Sequence, residues 1–303
     1  MQTDTGAFSH HRRDTWFHRA VTTPTDSLRL RVRIDADPDT VFKALTDADE
    51  LAEWLAESAD VSLDQGRYEF WGRYAPQGDR PRQTLTGHEP GRVLRFTWAF
   101  DEGPSTVELS LTADGEGTVV AVSHTGIPGA GSADGIALRC FWHVSLANLV
   151  AYSEGTQTMP PFDFSVPAQG DALVRTVIDV PVEEVFASLL DPASLDKWVG
   201  GKATVEPQVG GRYDFGWDNR GPERITELEP DKMLAYSWRL QGTPDTVVRW
   251  TLRSSRGSTY VTLVHSGFSD DKVAEEFRQG WPAYLVEMKR VLELGPRWEP
   301  IAG

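Results

Sequence analysis

Apolar and polar residues alternate along Leu30-Arg31-Val32-Arg33-Ile34, the period-two pattern of a half-buried strand. Asp37-Pro38 breaks the alternation, and Pro38 suits the first position of a helix. Val41, Phe42 and Leu45 then share a helical face, and after Thr46-Asp47 a second short helix carries Leu51, Trp54 and Leu55. Strands follow. Tyr68 and Phe70 point one way; Leu94, Phe96, Trp98 and Phe100 share a face; Val107, Leu109 and Leu111 alternate with polar residues. Val120, Val122 and His124 line one side of a strand that ends at His124-Thr125-Gly126. Strands in succession with hairpin-length gaps predict an antiparallel meander with one wet face. Leu138, Phe141, Trp142, Ser145, Leu146 and Leu149 stand at helical spacing, so a long helix with a broad apolar face covers the dry side.

The whole programme is then repeated. Ile34, Asp35, Val41, Phe42, Leu45, Asp47, Leu51 and Trp54 recur, each 144 positions later, as Ile178, Asp179, Val185, Phe186, Leu189, Asp191, Leu195 and Trp198. A period that long marks a duplicated domain rather than a solenoid, whose repeats run to roughly 20–50 residues. Gly211-Arg212-Tyr213 echoes Gly66-Arg67-Tyr68, and His265-Ser266-Gly267 echoes His124-Thr125-Gly126. The fold class is α+β with two tandem domains, 28–155 and 173–295. Residues 1–27 read as a tail, the proline-bearing 156–172 as a linker and 296–303 as a second tail. Two differences between the copies stand out. The first copy has the longer hairpin at Gly72–Gln83, and Gly280 and Pro282 predict a kink or restart in the second closing helix.

Charge and composition narrow the functions. A net charge of −15 argues against phosphate-backbone binding, which needs clustered Lys and Arg. The first domain carries net −10 over 30–155 and the second only −4 over 173–295, which makes the second the better host for an anionic ligand. The single cysteine, Cys140, excludes an intrachain disulfide and a cysteine-based zinc site, and points to the cytoplasm. No apolar run suggests a membrane span. No phosphate loop, dinucleotide fingerprint, nucleophile elbow or metal-ligand spacing is present, so neither cofactor nor metal is expected.

Two histidines carry the clearest chemical promise. Strand parity turns His124 and His265 inward, where an imidazole can act as a general base or simply bond a neighbouring backbone group at the strand end. Inward aromatics surround them: Tyr68, Phe70, Trp98 and Trp142 in the first copy, Trp198, Phe215, Trp217, Trp238, Trp250 and Trp281 in the second. They either fill a core or line a ligand pocket. Tyr213, Tyr236 and the tryptophans give the second copy more buried polar atoms, which want partners. By parity Arg239 and Arg249 face away from this lining, toward solvent.

The order of a Pro-started helix, a Trp-ended helix, a Gly-Arg-Tyr strand, a Glu-Pro turn, a Leu-x-Phe/Tyr-x-Trp strand, His-Ser/Thr-Gly and a Trp-bearing closing helix resembles the heat-shock-protein-90 ATPase activator homologue family, within the START-like (SRPBCC) helix-grip superfamily. The resemblance covers both copies. It implies curved antiparallel sheets, each wrapped around a long C-terminal helix with a cavity between, in a superfamily that includes lipid carriers, hormone receptors and polyketide cyclases. The eukaryotic activators also carry a chaperone-binding module to which residues 1–27 are too short to correspond. The expectation is therefore a hydrophobic, aromatic or polyketide-like ligand held in the sheet–helix cavity. His265, with Tyr213 or Tyr236, would catalyse its cyclisation or dehydration, and the inward aromatics named above would line it with His124. A chaperone-ATPase adaptor and a non-catalytic carrier are the alternatives.

Overall fold

A computed structural model describes residues 27–101, 103–127, 132–217, 221–240 and 244–301. The first domain opens with strand β1 (Ser27–Ile34), whose inward side chains Leu28, Leu30, Val32 and Ile34 are all buried. Asp37 caps α1 (Pro38–Thr46) by accepting from the backbone N–H groups of Asp39 and Thr40, with Pro38 at the position where a missing N–H is harmless. Asp47 closes that helix and caps α2 (Ala48–Trp54) in turn. Strands β2 (Ser58–Ser62) and β3 (Arg67–Trp71) pair with each other. Strands β4 (Gln83–Glu89), β5 (Val93–Phe100), β6 (Gly103–Asp114) and β7 (Gly117–Thr125) form the meander, and β1 returns to pair with β7. The resulting antiparallel order is β1-β7-β6-β5-β4, with a register shift between Leu85 and Gly87. Helix α3 (Ala133–Ser153) packs across its dry face.

The second domain repeats this with β8 (Ala172–Ile178), α4 (Val182–Leu190), α5 (Pro192–Val199), a short pair β9 (Thr204–Val205) and β10 (Tyr213–Asp214), then β11 (Gly221–Glu229), β12 (Met233–Arg239), β13 (Thr246–Ser255) and β14 (Ser258–Ser266). Its sheet order is β11-β12-β13-β14-β8. Helix α6 (Asp271–Leu294) closes it and continues through Pro282 as one helix, without the restart that was one of the two expectations. Pro282 is itself buried, and its neighbours Trp281, Tyr284 and Leu285 are packed into the domain core, so tertiary packing holds the turn that the proline weakens.

Each closing helix is also tied to the start of its own domain. Glu154 at the end of α3 accepts from the Asp35 N–H, and Glu293 near the end of α6 accepts from the Asp179 N–H at 2.7 Å. The two helices lie side by side and run the same way: Cys140 is beside Glu275 and Arg278, while Ala147 to Glu154 face Val286 to Leu294. Between the domains the chain is pinned on both sides. Asn148 bonds Met159 through both its amide groups, Phe164 N–H donates to the Arg73 carbonyl, and Arg278 donates to the Asp163 carbonyl. After α6, Trp298 and Ile301 fold back to donate to Glu287.

Leu149 is fully buried between α3 and its sheet, so Leu149→Ala should cost about 2–5 kcal/mol in urea unfolding. Tyr260→Ser on the exposed face of β14 should stay within about 0.5 kcal/mol of the parent. Equal effects of the two would contradict this assignment of core and surface.

Candidate functional site

In each domain a histidine ends a central strand and meets the tryptophan of the closing helix. Trp142 Nε1–H donates to His124 Nδ1 at 3.0 Å. Since Nδ1 accepts, the ring's proton sits on Nε2, which donates to Ser105 Oγ at 2.7 Å. The Ser105 hydroxyl donates onward to the Trp98 carbonyl at 2.8 Å. The second domain builds the same relay: Trp281 Nε1–H to His265 Nδ1 at 3.3 Å, His265 Nε2–H to Thr246 Oγ1 at 2.7 Å, and Thr246 O–H to the Trp238 carbonyl at 3.3 Å. Both imidazoles are fully buried. Burial lowers the pKa of His124 to about 3 and that of His265 well below its ordinary value, so both are neutral at pH 7. The hydroxyls of Ser105 and Thr246 escape a reading by parity, because the strand pairing that brings them to the histidines is not local. Their one sequence signal is a small hydroxyl at matching places in both meanders.

The aromatic residues expected to line a pocket instead lie ring against ring. In the first domain Phe70 stacks on Phe141 at 5.9 Å and meets Trp98 edge-on at 5.0 Å. Trp98 lies parallel to His124 at 5.8 Å, Trp142 closes on Trp98 at 6.2 Å, and Tyr68 sits 5.1 Å from Phe96. In the second domain Trp198 meets Phe215 and Trp250, Trp281 meets Trp250 and Trp238, and Phe215 meets Trp217, all with centroids between 5.1 and 6.0 Å. These are ordinary core separations for aromatic pairs. The structure thus brings each domain's candidates into one cluster, and the cluster is packed.

The two tyrosines singled out for acid–base work are engaged as well. Tyr213 O–H donates to the Leu189 carbonyl at 2.7 Å, and Tyr236 stacks on Tyr213 at 4.5 Å while its oxygen accepts from Trp250 Nε1. Burial raises the pKa of both phenols. A general base works best with a pKa near the operating pH and a lone pair free for substrate. His265, Tyr213 and Tyr236 have their polar atoms committed to neighbours and their proton affinities moved away from neutrality.

Clefts of ligand size lie outside the sheet–helix interiors, one of them, of about 410 Å³, lined by Arg31, Arg33, Asp114, Arg290 and Glu299. Another, of about 530 Å³, sits beside the edge strand β11 of the second domain and is lined by Glu206, Arg212, Asp214, Trp217, Glu223, Arg224 and Arg239. Arg212 pairs with Asp214, Arg239 with Glu223, and Arg224 donates to the Gly210 carbonyl. Trp217 is half-buried there and packs on Phe215, Trp238 and Tyr284. Arg239, read from parity as solvated, shares this cleft, whereas Arg249 is an exposed ion pair with Glu227. A smaller cleft, of about 250 Å³, runs between α3 and α6 and is lined by Glu154, Asp179, Lys289, Arg290, Glu293 and Arg297, among others. Among the described residues no group of three histidine, cysteine or acidic side chains is placed to hold a metal, and no helix is long and apolar enough to cross a membrane. The paired histidines His10 and His11 lie outside the described residues.

The family described as "Activator of Hsp90 ATPase homolog 1-like protein" has a sequence model that matches residues 35–154 and again 179–293. Solved structures with similar chains include a protein encoded by gene BPP1335 of Bordetella parapertussis, 29% identical over 46% of this chain and 81% of that one, with a TM-score of 0.39. The Aha1 dimer from Colwellia psychrerythraea is 23% identical over 42% of this chain and 98% of its own, TM-score 0.37. DynU16, a protein of the dynemicin biosynthetic locus, is 20% identical and spans 89% of this chain and 100% of its own, TM-score 0.33. No curated protein matches the chain.

The two relays make a pH prediction. Folded His124 and His265 stay neutral while the unfolded chain takes up protons near pH 6.5, so stability is whole above about pH 6.5 and falls as pH drops through it. The expected slope is about 1.4 kcal/mol per pH unit per histidine, and His143, lowered by burial too, adds to it. Urea midpoints between pH 7.5 and 5 measure this slope. A His124→Gln, His265→Gln double variant should flatten it, and an unchanged slope would assign it to other groups.

Proposed function

Because the chain belongs to the Activator of Hsp90 ATPase homolog 1-like family, here as two tandem helix-grip domains, we propose that it is a cytoplasmic binding protein whose small-molecule site is the cleft beside β11 of the second domain. The observation that carries this reading is Trp217. This half-buried indole lines a cleft together with three arginines and three acids, while the rest of the aromatic lining is closed on itself. The ligand that fits is aromatic or polyketide-like and carries a carboxylate or enolate. Its ring would lie on Trp217, and its anion would draw Arg212, Arg224 or Arg239 away from their present partners. The second domain's milder net charge favours the same choice.

Cyclisation or dehydration at His265 with Tyr213 or Tyr236 remains the catalytic form of the proposal. The relay and the tyrosine bonds weigh against it, so binding without turnover is the form we favour. A chaperone-ATPase adaptor is the second reading, favoured by the closed packing of the aromatic clusters, since an adaptor needs no interior site. Stimulation of a purified chaperone ATPase by the full chain would select it.

Native mass spectrometry of the purified chain should find a co-purifying aromatic acid. In a fluorescence titration with 2-naphthoate, Trp217→Ala and Arg239→Ala should each weaken binding by about tenfold or more, since a stacked ring or a charged hydrogen bond is worth roughly 1–3 kcal/mol. Naphthoate binding that survives both substitutions unchanged, or no binding at all, overturns this site.

A further inference from the structure

The duplication provides an internal control for a single buried charge. Along the closing helices residue pairs stand 139 positions apart: Leu138 and Phe277, Trp142 and Trp281, Leu146 and Leu285, Glu154 and Glu293. Arg139 and Arg278 are such a pair. Arg278 is fully provided for. Its Nε and Nη2 each donate to Glu275 at 2.8 Å, its Nη1 donates to the Asp163 carbonyl, and its guanidinium lies 4.3 Å above the Phe162 ring. Arg139 has none of this. It is 3% exposed, and its Nε and Nη1 are sealed from solvent without a hydrogen-bond partner.

The reason is legible position by position. The counterpart of Glu275 in the first domain is Ile136, so the two copies share the arginine but not the carboxylate. The nearest acid on α3, Asp134, has its electrostatic neighbours in Asp101 and Arg82. His143, one turn on, turns its Nδ1–H to the Arg139 carbonyl, and the acid facing it across the helices, Glu287, already accepts from Trp298 and Ile301. Burial acts on Arg139 with no carboxylate to offset it. A buried cation without a partner is destabilising by several kcal/mol in general, and such a group persists where something supplies its counter-charge.

We propose that Arg139 is the anchor of an anion-binding site on the first domain, taking from outside a small oxyanion (a phosphate or the carboxylate of a small organic acid) as the counter-charge that Glu275 supplies in the second. A fork of Nε–H and Nη–H groups matches two oxygens of either anion, as it does on Arg278. Nη2 is the one guanidinium nitrogen outside the sealed set, so the anion enters from that side. The site is separate from the Trp217 cleft, and either can fail without the other.

The test is thermal unfolding of the full chain at pH 7.5 and constant ionic strength, in chloride alone or with inorganic phosphate or acetate as probe. The wild type should gain roughly 2–5 °C with at least one of the two anions near saturation. A response to phosphate alone or to acetate alone identifies the source of the anion. Arg139→Met should unfold in chloride at or above the wild-type temperature, because it removes an unpartnered charge, and should lose the anion's gain. Arg278→Met should unfold lower, because it strands Glu275, and should keep that gain. If Arg278→Met fails to fold, the Arg139 Nε–H resonance of the wild type is followed instead, and it should shift on adding the anion that raises the unfolding temperature. The proposal is overturned if neither anion moves the wild type, if the gain persists in Arg139→Met, or if that resonance is unmoved.

Discussion

The structure rests on a buried hydrogen-bond relay made twice, from the indole of the closing helix through a neutral imidazole and a hydroxyl to a strand carbonyl. A buried imidazole has one donor and one acceptor to satisfy, and here the acceptor takes Trp142 or Trp281 while the donor reaches Ser105 or Thr246. The consequence is geometric. The relay spans three strands and the helix, so it sets where along the sheet the helix lies. It also fixes which ring faces the histidine: Trp98 in one domain, Trp238 in the other. A low dielectric surrounding makes each link costly to break and makes a charged imidazole costlier still.

Around that constant the two copies diverge in ways that bear on binding. Leu109 lies between Leu94 and Val122; the matching place between Leu234 and Leu263 holds Trp250. That extra indole takes the Tyr236 hydroxyl and presses on Trp198, whose own Nε1 is left sealed without a partner. In the first domain the corresponding Trp54 donates to the Ala44 carbonyl. The second core is thus more aromatic but no more open. The copies also differ at the closing helix, where the first has Ile136 and the second Glu275 beside an arginine that both share. The copies thus differ inside the core, at Leu109 and Trp250, as well as at the closing helix.

Much of the fold was legible because it follows from local periodicity and from the repeat. Pro38 opens α1, the strands fall where alternation puts them, and the inward residues of β1, β5 and β14 are the buried ones. The site was less legible. Parity says that Phe70, Trp98 and Phe215 point inward, but not whether rings that point inward leave space between them. The answer depends on non-local contacts such as Phe70 on Phe141 and Trp198 on Trp250. Parity also sent Arg239 to solvent correctly as to face, yet could not show that Arg212, Arg224 and Trp217 join it in one cleft. Pro282 read as a kink or restart because helix propensity is local, whereas the packing that keeps α6 continuous is not.

The most direct measurement of the central claim is the tautomer of the two histidines, read from ¹⁵N spectra of the imidazole rings in the full chain at pH 7. The account predicts that His124 and His265 are both neutral, with the proton on Nε2 and a bare, hydrogen-bond-accepting Nδ1 coupled to the indole N–H of Trp142 and Trp281. An imidazolium in either ring, or a proton on Nδ1, would contradict it.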